Sequence, residues 1–155
     1  MILSIDIGIT NYGWSIFDKE KLVKSGTLVC SDNNLNYKIL QSYNYFKSLI
    51  KEYKISSLVY EQPVFINRGI NGPSINQCLG VLLLLSAQYS LKLSSYTATE
   101  VKKGITGTGK ANKKDIMEAL SILHPGTTFT SDHEADAIAL ALYYLHKNFS
   151  YTLSV

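Results

Sequence analysis

The order of apolar patterns along the chain constrains its fold most. Three runs with strand-like composition come first, at residues 1–7, 12–17 and 22–29, and each is closed by glycine or polar turn residues. Over residues 35–53 the apolar side chains then recur at intervals of three and four, the period of an amphipathic helix. A three-stranded meander followed by a helix is therefore predicted.

The rest of the chain alternates between short strand-like runs and helical patterns. An apolar run at residues 57–60 must end before Pro63, because proline cannot donate to a strand ladder. The succession predicts an α/β fold with helices packed on a mixed sheet, and 155 residues fit a single domain over residues 1–155. The remaining predicted elements are a helix at 74–89, a strand at 93–97, and helices at 112–123 and 132–147.

Composition and charge exclude several classes of protein. Hydrophobic residues make up 46% and charged residues 17% of the chain, which is typical of a globular protein and not of a disordered one. The apolar run at residues 79–85 is too short to span a bilayer, so a buried helix and no membrane partner are expected. Cys30 and Cys78 lack metal-ligand spacing and are expected to be buried thiols. A net charge of +3 does not identify a polyanionic partner by itself.

Three carboxylates from distant segments are each flanked by apolar residues. Asp6 and Glu61 end two strand-like runs, and Asp136 lies in the first turns of the last predicted helix. A charge is costly to bury without a partner, and ligands of α/β sheets bind at the carboxyl ends of the strands. Such carboxylates can hold a pair of Mg²⁺ ions, which stabilise the attacking and leaving oxygens of a displacement at phosphorus. The alternative is that each acid forms its own salt bridge or turn contact.

The start of the last helix offers a fourth candidate. Asp132 and His133 lie four and three residues before Asp136, so both share a helix side with it, and the spacing does not choose between them. His133 taken alone has a surface or hydrogen-bonded position as its alternative. Ser131 and Glu134 also fit the S-x-x-E capping box, which predicts a structural role for Glu134.

A cluster of five lysines within thirteen residues is the main basic feature. Gly104, Gly107 and Gly109 lie among them, so we expect a flexible loop that can approach a phosphate backbone. Lysines on such a loop provide affinity and salt dependence for DNA, without sequence choice. A solvated loop is the alternative. The cluster consists of Lys102, Lys103, Lys110, Lys113 and Lys114.

Four motifs, in matching order and spacing, resemble those of RuvC-type Holliday-junction resolvases, nucleases of the RNase H-like superfamily. They are IDIGITNYGW from Ile5, YEQ around Glu61, VKKGITGTG from Val101 and HEADA from His133. The likeness covers nearly the whole chain. It implies a five-stranded mixed sheet flanked by α-helices and a two-fold homodimer, with much of the dimer contact on the helix at 74–89.

The resemblance also implies roles for particular residues. Asp6, Glu61 and Asp136 match the acids that bind two Mg²⁺ ions per active site, for which Mn²⁺ is expected to substitute. His133 stands where the family has either Asp or His, as a metal ligand or as a base that helps to activate the attacking water. Asp132 is the second choice for that fourth position.

DNA contacts are implied in the same way. Lys102 and Lys113 match basic residues that assist cleavage near the scissile phosphate. Phe65 lies on the segment that in relatives inserts an aromatic side chain into the centre of the junction, and Arg68 follows it. Pro63 stands where the family commonly continues directly, and a core position is the alternative for Phe65.

The implied activity is that of a crossover junction endodeoxyribonuclease, which makes paired symmetric nicks in a four-way DNA junction. The alternatives are an RNase H-like nuclease for other branched DNA or RNA–DNA hybrids, a non-cleaving junction-binding protein, and an actin-like ATPase or sugar kinase. Residues 6–11 are similar to the first phosphate loop of that last class, which needs a second domain. The expected location is the cytoplasm or nucleoid, or a host compartment for a phage or viral enzyme. The sequence identifies no accessory helicase and no preferred cleavage sequence.

Overall fold

A computed structural model describes residues 1–63 and 72–149, except for the side chains of residues 72 and 73. Within those residues strands and helices follow the predicted alternation. The elements are β1 (Ile2–Asp6), β2 (Asn11–Asp18), β3 (Lys21–Val29), α1 (Leu35–Glu52), β4 (Ser57–Glu61), α2 (Gly72–Gln88), β5 (Lys92–Tyr96), α3 (Ala98–Thr106), α4 (Lys113–Leu123) and α5 (Asp132–Phe149).

The five strands form one mixed sheet in the order β3-β2-β1-β4-β5. The first three strands are an antiparallel meander, as predicted, whereas β4 runs parallel to β1 and β5 runs parallel to β4. The register pairs Ile5 of β1 with Tyr60 of β4. Asp6 and Glu61, the next residue of each strand, therefore lie side by side at the same edge of the sheet.

Helices cover both faces of the sheet. Leu3 and Ile5 of β1 pack in a core with α1 and α2, while the alternate residues of β1 face a second core formed with α3, α4 and α5. Asp6 belongs to this second face. Glu61 does too, because it lies two residues after Val59, which is buried in the second core. The sheet thus presents both carboxylates toward α5.

One helix differs from the prediction. Residues Ala98–Thr106 form α3, where the glycines and lysines predicted a flexible loop. Thr97 and Glu100 form a capping box at its start, and Gly107 ends it with φ 81°, a left-handed conformation that favours glycine. Lys102 therefore projects from a helix. The T-x-x-E pattern before it is the sequence signal for this element.

The helix α2 is buried on one face only. Cys78 and Leu82 are fully buried, and Cys78 and Cys30 are free thiols, as expected. Leu83 and Leu84 are 42% and 58% exposed, so the prediction of a buried helix is wrong for this second face. None of the helices in the described ranges is long and apolar enough to cross a membrane.

Candidate active site

Asp6 lies at the centre of a group of acidic and basic side chains on the α5 side of the sheet. Its Oδ2 atom is 2.7 Å from Nδ1 of His133, which α5 carries in its first turn. The Asp6 side chain is only 15% exposed, whereas that of His133 is 43% exposed. Asp132 instead forms an ion pair with Lys113. Of the two candidates that spacing could not separate, His133 is the one that contacts Asp6.

The three predicted acids lie close enough to shift the pKa of one another. Burial raises the pKa of Asp6, and the hydrogen bond and charge of His133 partly offset this rise. Burial, followed by the charges of Asp6 and Asp136, raises the pKa of Glu61 from 4.5 to about 7. Burial and then the charge of Asp6 raise the pKa of Asp136 from 3.8 to about 6. The site therefore concentrates negative charge where water is scarce.

Two lysines of the basic cluster approach these acids. The positive charge of Lys102, on α3, lowers the pKa of both Glu61 and Asp136, against the larger effect of burial. Lys113, at the start of α4, lowers the pKa of Asp136 in the same way. The hydrogen bond and charge of Asp132 raise the pKa of Lys113. The corner between α3, α4 and α5 thus brings two cations to the edge of the carboxylate group.

The other three lysines of the cluster lie on or between the same two helices. Lys103 on α3, Lys110 in the connection before α4, and Lys114 on α4 are exposed. Lys114 forms an exposed ion pair with an acid one turn further along α4. Phe65 and Arg68 lie outside the described residues.

The donor set has the chemistry that a hard divalent cation requires. Asp6, Glu61 and Asp136 offer carboxylate oxygens. Burial raises the pKa of all three, and a bound cation would favour their ionised forms. Within residues 1–63 and 72–149, however, no three acidic, histidine or cysteine side chains are arranged to share one ion. The hydrogen bond to His133 already engages one oxygen of Asp6. Joint binding of an ion therefore requires these side chains to turn toward one another.

The predicted capping box at the start of α5 forms only in part. Ser131 Oγ accepts a hydrogen bond from the backbone N–H of Glu134 at 3.1 Å, as predicted. The Glu134 carboxylate instead accepts from the backbone N–H and the hydroxyl of Thr130, both at 2.8 Å, and from Ser25 Oγ of β3 at 2.7 Å. Burial alone would raise the pKa of Glu134, but these hydrogen bonds bring it below its ordinary value. Glu134 therefore joins α5 to the sheet.

Gly13 is a residue of the site that motif reasoning did not single out. It lies opposite Asp6 in the pairing of β1 with β2. A Cβ atom at this position would overlap the backbone carbonyl of His133, so the absence of a side chain lets α5 approach the sheet. A glycine inside a strand pattern was the available signal, because it commonly marks a close backbone approach.

The strand order, the helices on both faces and the acids at the edge shared by β1 and β4 define an RNase H-like α/β protein. The profile of a family described as "Crossover junction endodeoxyribonuclease RuvC" matches residues 2–144. A protein of that name from Rhizobium leguminosarum bv. trifolii is 31% identical over 151 residues, which cover 94% of this chain and 89% of the relative. The chain belongs to the RuvC family.

Solved structures of the family share the fold. The Thermus thermophilus RuvC structure superposes with a TM-score of 0.82 at 19% identity, over 96% of both chains. The same protein in complex with a Holliday junction substrate gives a TM-score of 0.81 at 20% identity, over 96% of this chain and 93% of that one. The expected RNase H-like fold and family are confirmed.

Proposed function

We propose that this protein is a crossover junction endodeoxyribonuclease that cuts four-way DNA junctions by metal-dependent hydrolysis of phosphodiester bonds. The observation that carries the proposal is the meeting of Asp6 and Glu61 at the ends of paired parallel strands, with His133 in contact with Asp6. Family membership over nearly the whole chain supports the substrate, since the relatives are named for it. Residues 1–155 would form one nuclease domain, which would act in the cytoplasm or nucleoid, where DNA is found.

Asp6, Glu61 and Asp136 would hold two Mg²⁺ ions, with His133 as the fourth ligand, and Mn²⁺ would substitute. When bound, the ions would provide an activated water and compensate the negative charge that develops at the phosphate. The raised pKa values of Glu61 and Asp136 favour this assignment, because carboxylates that are buried and also close to other carboxylates gain most from a shared cation.

The protein side chains would orient the substrate and manage protons. Lys102 and Lys113 would bind the scissile phosphate, and Asp132 would keep Lys113 near the carboxylates until DNA competes for it. Nδ1 of His133 contacts Asp6. When Nδ1 carries the proton of the neutral ring, the second nitrogen keeps a lone pair, which would either bind a metal ion or accept a proton from water.

A homodimer is the second part of the proposal. Four large apolar side chains of α1 and α2 are exposed, and they would form the dimer contact. A symmetric dimer that buries these side chains would supply two active sites for the two opposed strands of a junction. The four are Tyr37 (60% exposed), Leu40 (52%), Leu83 (42%) and Leu84 (58%).

The test compares substrates directly. Purified protein is incubated with a labelled immobile four-way junction, a linear duplex and an RNA–DNA hybrid, each with Mg²⁺ or with EDTA. We expect paired nicks near the branch point that require Mg²⁺. Cleavage of the hybrid in preference to the junction would favour the RNase H-like alternative. Tight junction binding with no cleavage in Mg²⁺ or Mn²⁺ would favour a non-cleaving junction-binding protein.

A further inference from the structure

Two rows of mainly small polar residues cross β1, β2 and β3 beneath the start of α5. They occupy alternate positions of each strand, so they face the same side of the sheet, and we call them the polar track. A sheet face under a helix is ordinarily apolar, so these residues need partners, and α5 supplies them. In register, the first row is Ser4, Ser15 and Ser25, and the second row is Asp6, Gly13 and Thr27.

The first row binds the backbone and the first turn of α5. Ser4 Oγ donates to the carbonyl oxygen of Ala137 at 2.7 Å, and Ser15 Oγ donates to the same oxygen at 3.2 Å. Both serines are fully buried. Ser25 Oγ donates to the carboxylate of Glu134 at 2.7 Å. The row therefore fixes α5 at two points, one on each side of Asp136.

The second row holds the same stretch of α5 from the strand ends. The hydroxyls of Thr27 and Ser131 are 2.5 Å apart. Gly13 lets the backbone at His133 come into contact with β2, and Asp6 bonds the His133 ring. The second row thus contacts the start of α5 at His133 and at Ser131, the residue that precedes the helix.

Glu134 is the member of this arrangement that has no direct part in the proposed chemistry. It is 4% exposed, and among the described residues no other acidic or basic residue is buried so fully. Its carboxylate binds Ser25 of β3 and Thr130, which lies two residues before the helix. It directly follows His133 and lies two residues before Asp136. A helix turns by about 100° per residue, so a small rotation after loss of this tie would move both site residues.

We propose that Glu134, held by Ser25 and Thr130, is a positioning residue that fixes the rotation of α5 and so brings His133 and Asp136 into place against Asp6. This inference rests on the proposed nuclease function. Glu134 acts through its neighbours, in the way that groups behind metal ligands set ligand orientation.

The experiment uses the full chain in three variants. Glu134→Ala removes all three hydrogen bonds, and we expect single-turnover junction cleavage and Mn²⁺ affinity, measured by calorimetry without DNA, to fall by about 10-fold or more. The glutamine of Glu134→Gln can accept hydrogen bonds from Thr130 and donate one to Ser25. In this variant the cleavage rate and the Mn²⁺ affinity are therefore expected to lie within about threefold of the wild type. Asn148→Ala removes hydrogen bonds to Tyr96 and Tyr144 at the far end of α5 and is the matched control.

Junction affinity measured in EDTA separates positioning from general damage. We expect it to stay within about twofold of the wild type in Glu134→Ala, because the lysines that bind phosphate are not on α5. If Glu134→Ala fails to fold, Ser25→Ala removes a single hydrogen bond and is expected to lower cleavage and Mn²⁺ affinity more than Asn148→Ala does.

The outcomes distinguish this inference from the function on which it rests. Cleavage and Mn²⁺ affinity equal to wild type in a folded Glu134→Ala, or in Ser25→Ala, would overturn the positioning role and leave the nuclease function standing. An equal loss in Glu134→Gln and Glu134→Ala would also overturn it, because charge and not geometry would then be responsible. A wild type that cuts no junction, while its Mn²⁺ affinity still depends on Glu134, would remove the function and support the positioning role.

Discussion

Replacing Glu61 with glutamine is expected to stabilise the protein at neutral pH in the absence of divalent cations. The substitution removes one of three carboxylates that burial and mutual repulsion make costly to ionise. A rise of the Glu61 pKa from 4.5 to about 7 corresponds to about 3 kcal/mol, at roughly 1.4 kcal/mol for each tenfold change in the protonation equilibrium. Partial exposure of the side chain reduces this value, so we expect a gain of about 1–3 kcal/mol at pH 8.

The sign of the pH dependence follows from the direction of the shift. Because the folded-state pKa of Glu61 is raised, the folded protein binds more protons than the unfolded chain between pH 4.5 and about 7. The free energy of unfolding of the wild type therefore decreases as the pH rises through this range. The glutamine variant does not lose stability in this way. Its free energy of unfolding should therefore exceed that of the wild type only slightly at pH 5, and by the full amount at pH 8.

Urea unfolding in EDTA at pH 5 and pH 8 measures the difference. Glu20→Gln, which replaces an exposed glutamate, controls for the general effect of removing a carboxylate. The same advantage for Glu61→Gln at both pH values, or a loss of stability at pH 8, would refute the argument that repulsion in this site destabilises the fold.

Three further predictions concern the metal, the packing and the dimer. Mg²⁺ at pH 8 is expected to raise the melting temperature of the wild type but not of Asp6→Asn, because an ion that binds the folded state stabilises the folded protein. An equal rise in both proteins would contradict the role of Asp6 in metal binding. Gly13→Ala is expected to lower the free energy of unfolding in urea by about 3 kcal/mol, because the added Cβ meets backbone of α5, whereas Gly80→Ala, which has open space around it in α2, should be neutral or stabilising. Similar effects at the two glycines would refute the close approach of α5 to Gly13. Leu84→Asp is expected to give a monomer in analytical ultracentrifugation, while the control Ile122→Asp, at a position 60% exposed on α4, is expected to stay dimeric. A dimer in both variants would exclude the proposed dimer contact on α2.

The order of most elements is predictable from the sequence because each long element buries a regular apolar stripe. The helix α3 is not predictable in this way, because its nine residues bury only Val101 and Ile105. Gly104, which lies between them, further weakens the helical pattern. Its lysines favour a loop by composition alone. The capping box at Thr97 is the stronger local signal, because it specifies hydrogen bonds and not a general preference.

Part of the site is predictable for a similar reason. A carboxylate that ends an apolar strand must reach the sheet edge, so the positions of Asp6 and Glu61 follow from the pattern. The choice between Asp132 and His133 does not follow from the pattern, because both residues share a helix side with Asp136. Only their contacts with neighbouring strands and helices show which of the two lies against Asp6. The polar track also required the structure, since strand register depends on turns and on the irregularity between residues 16 and 17 of β2.

The most direct test of the central claim separates binding from cleavage in variants of the three acids. Asp6→Asn, Glu61→Gln and Asp136→Asn are compared with the wild type for junction affinity in EDTA and for single-turnover cleavage in Mg²⁺. We predict that all three bind the junction at least as tightly as the wild type, because they remove negative charge from the edge proposed to bind DNA. Their cleavage rates should fall by about 100-fold or more, the scale of loss when a group that stabilises developing charge is removed. A variant that still cuts at a near-wild-type rate would contradict the assignment of these carboxylates as the active site.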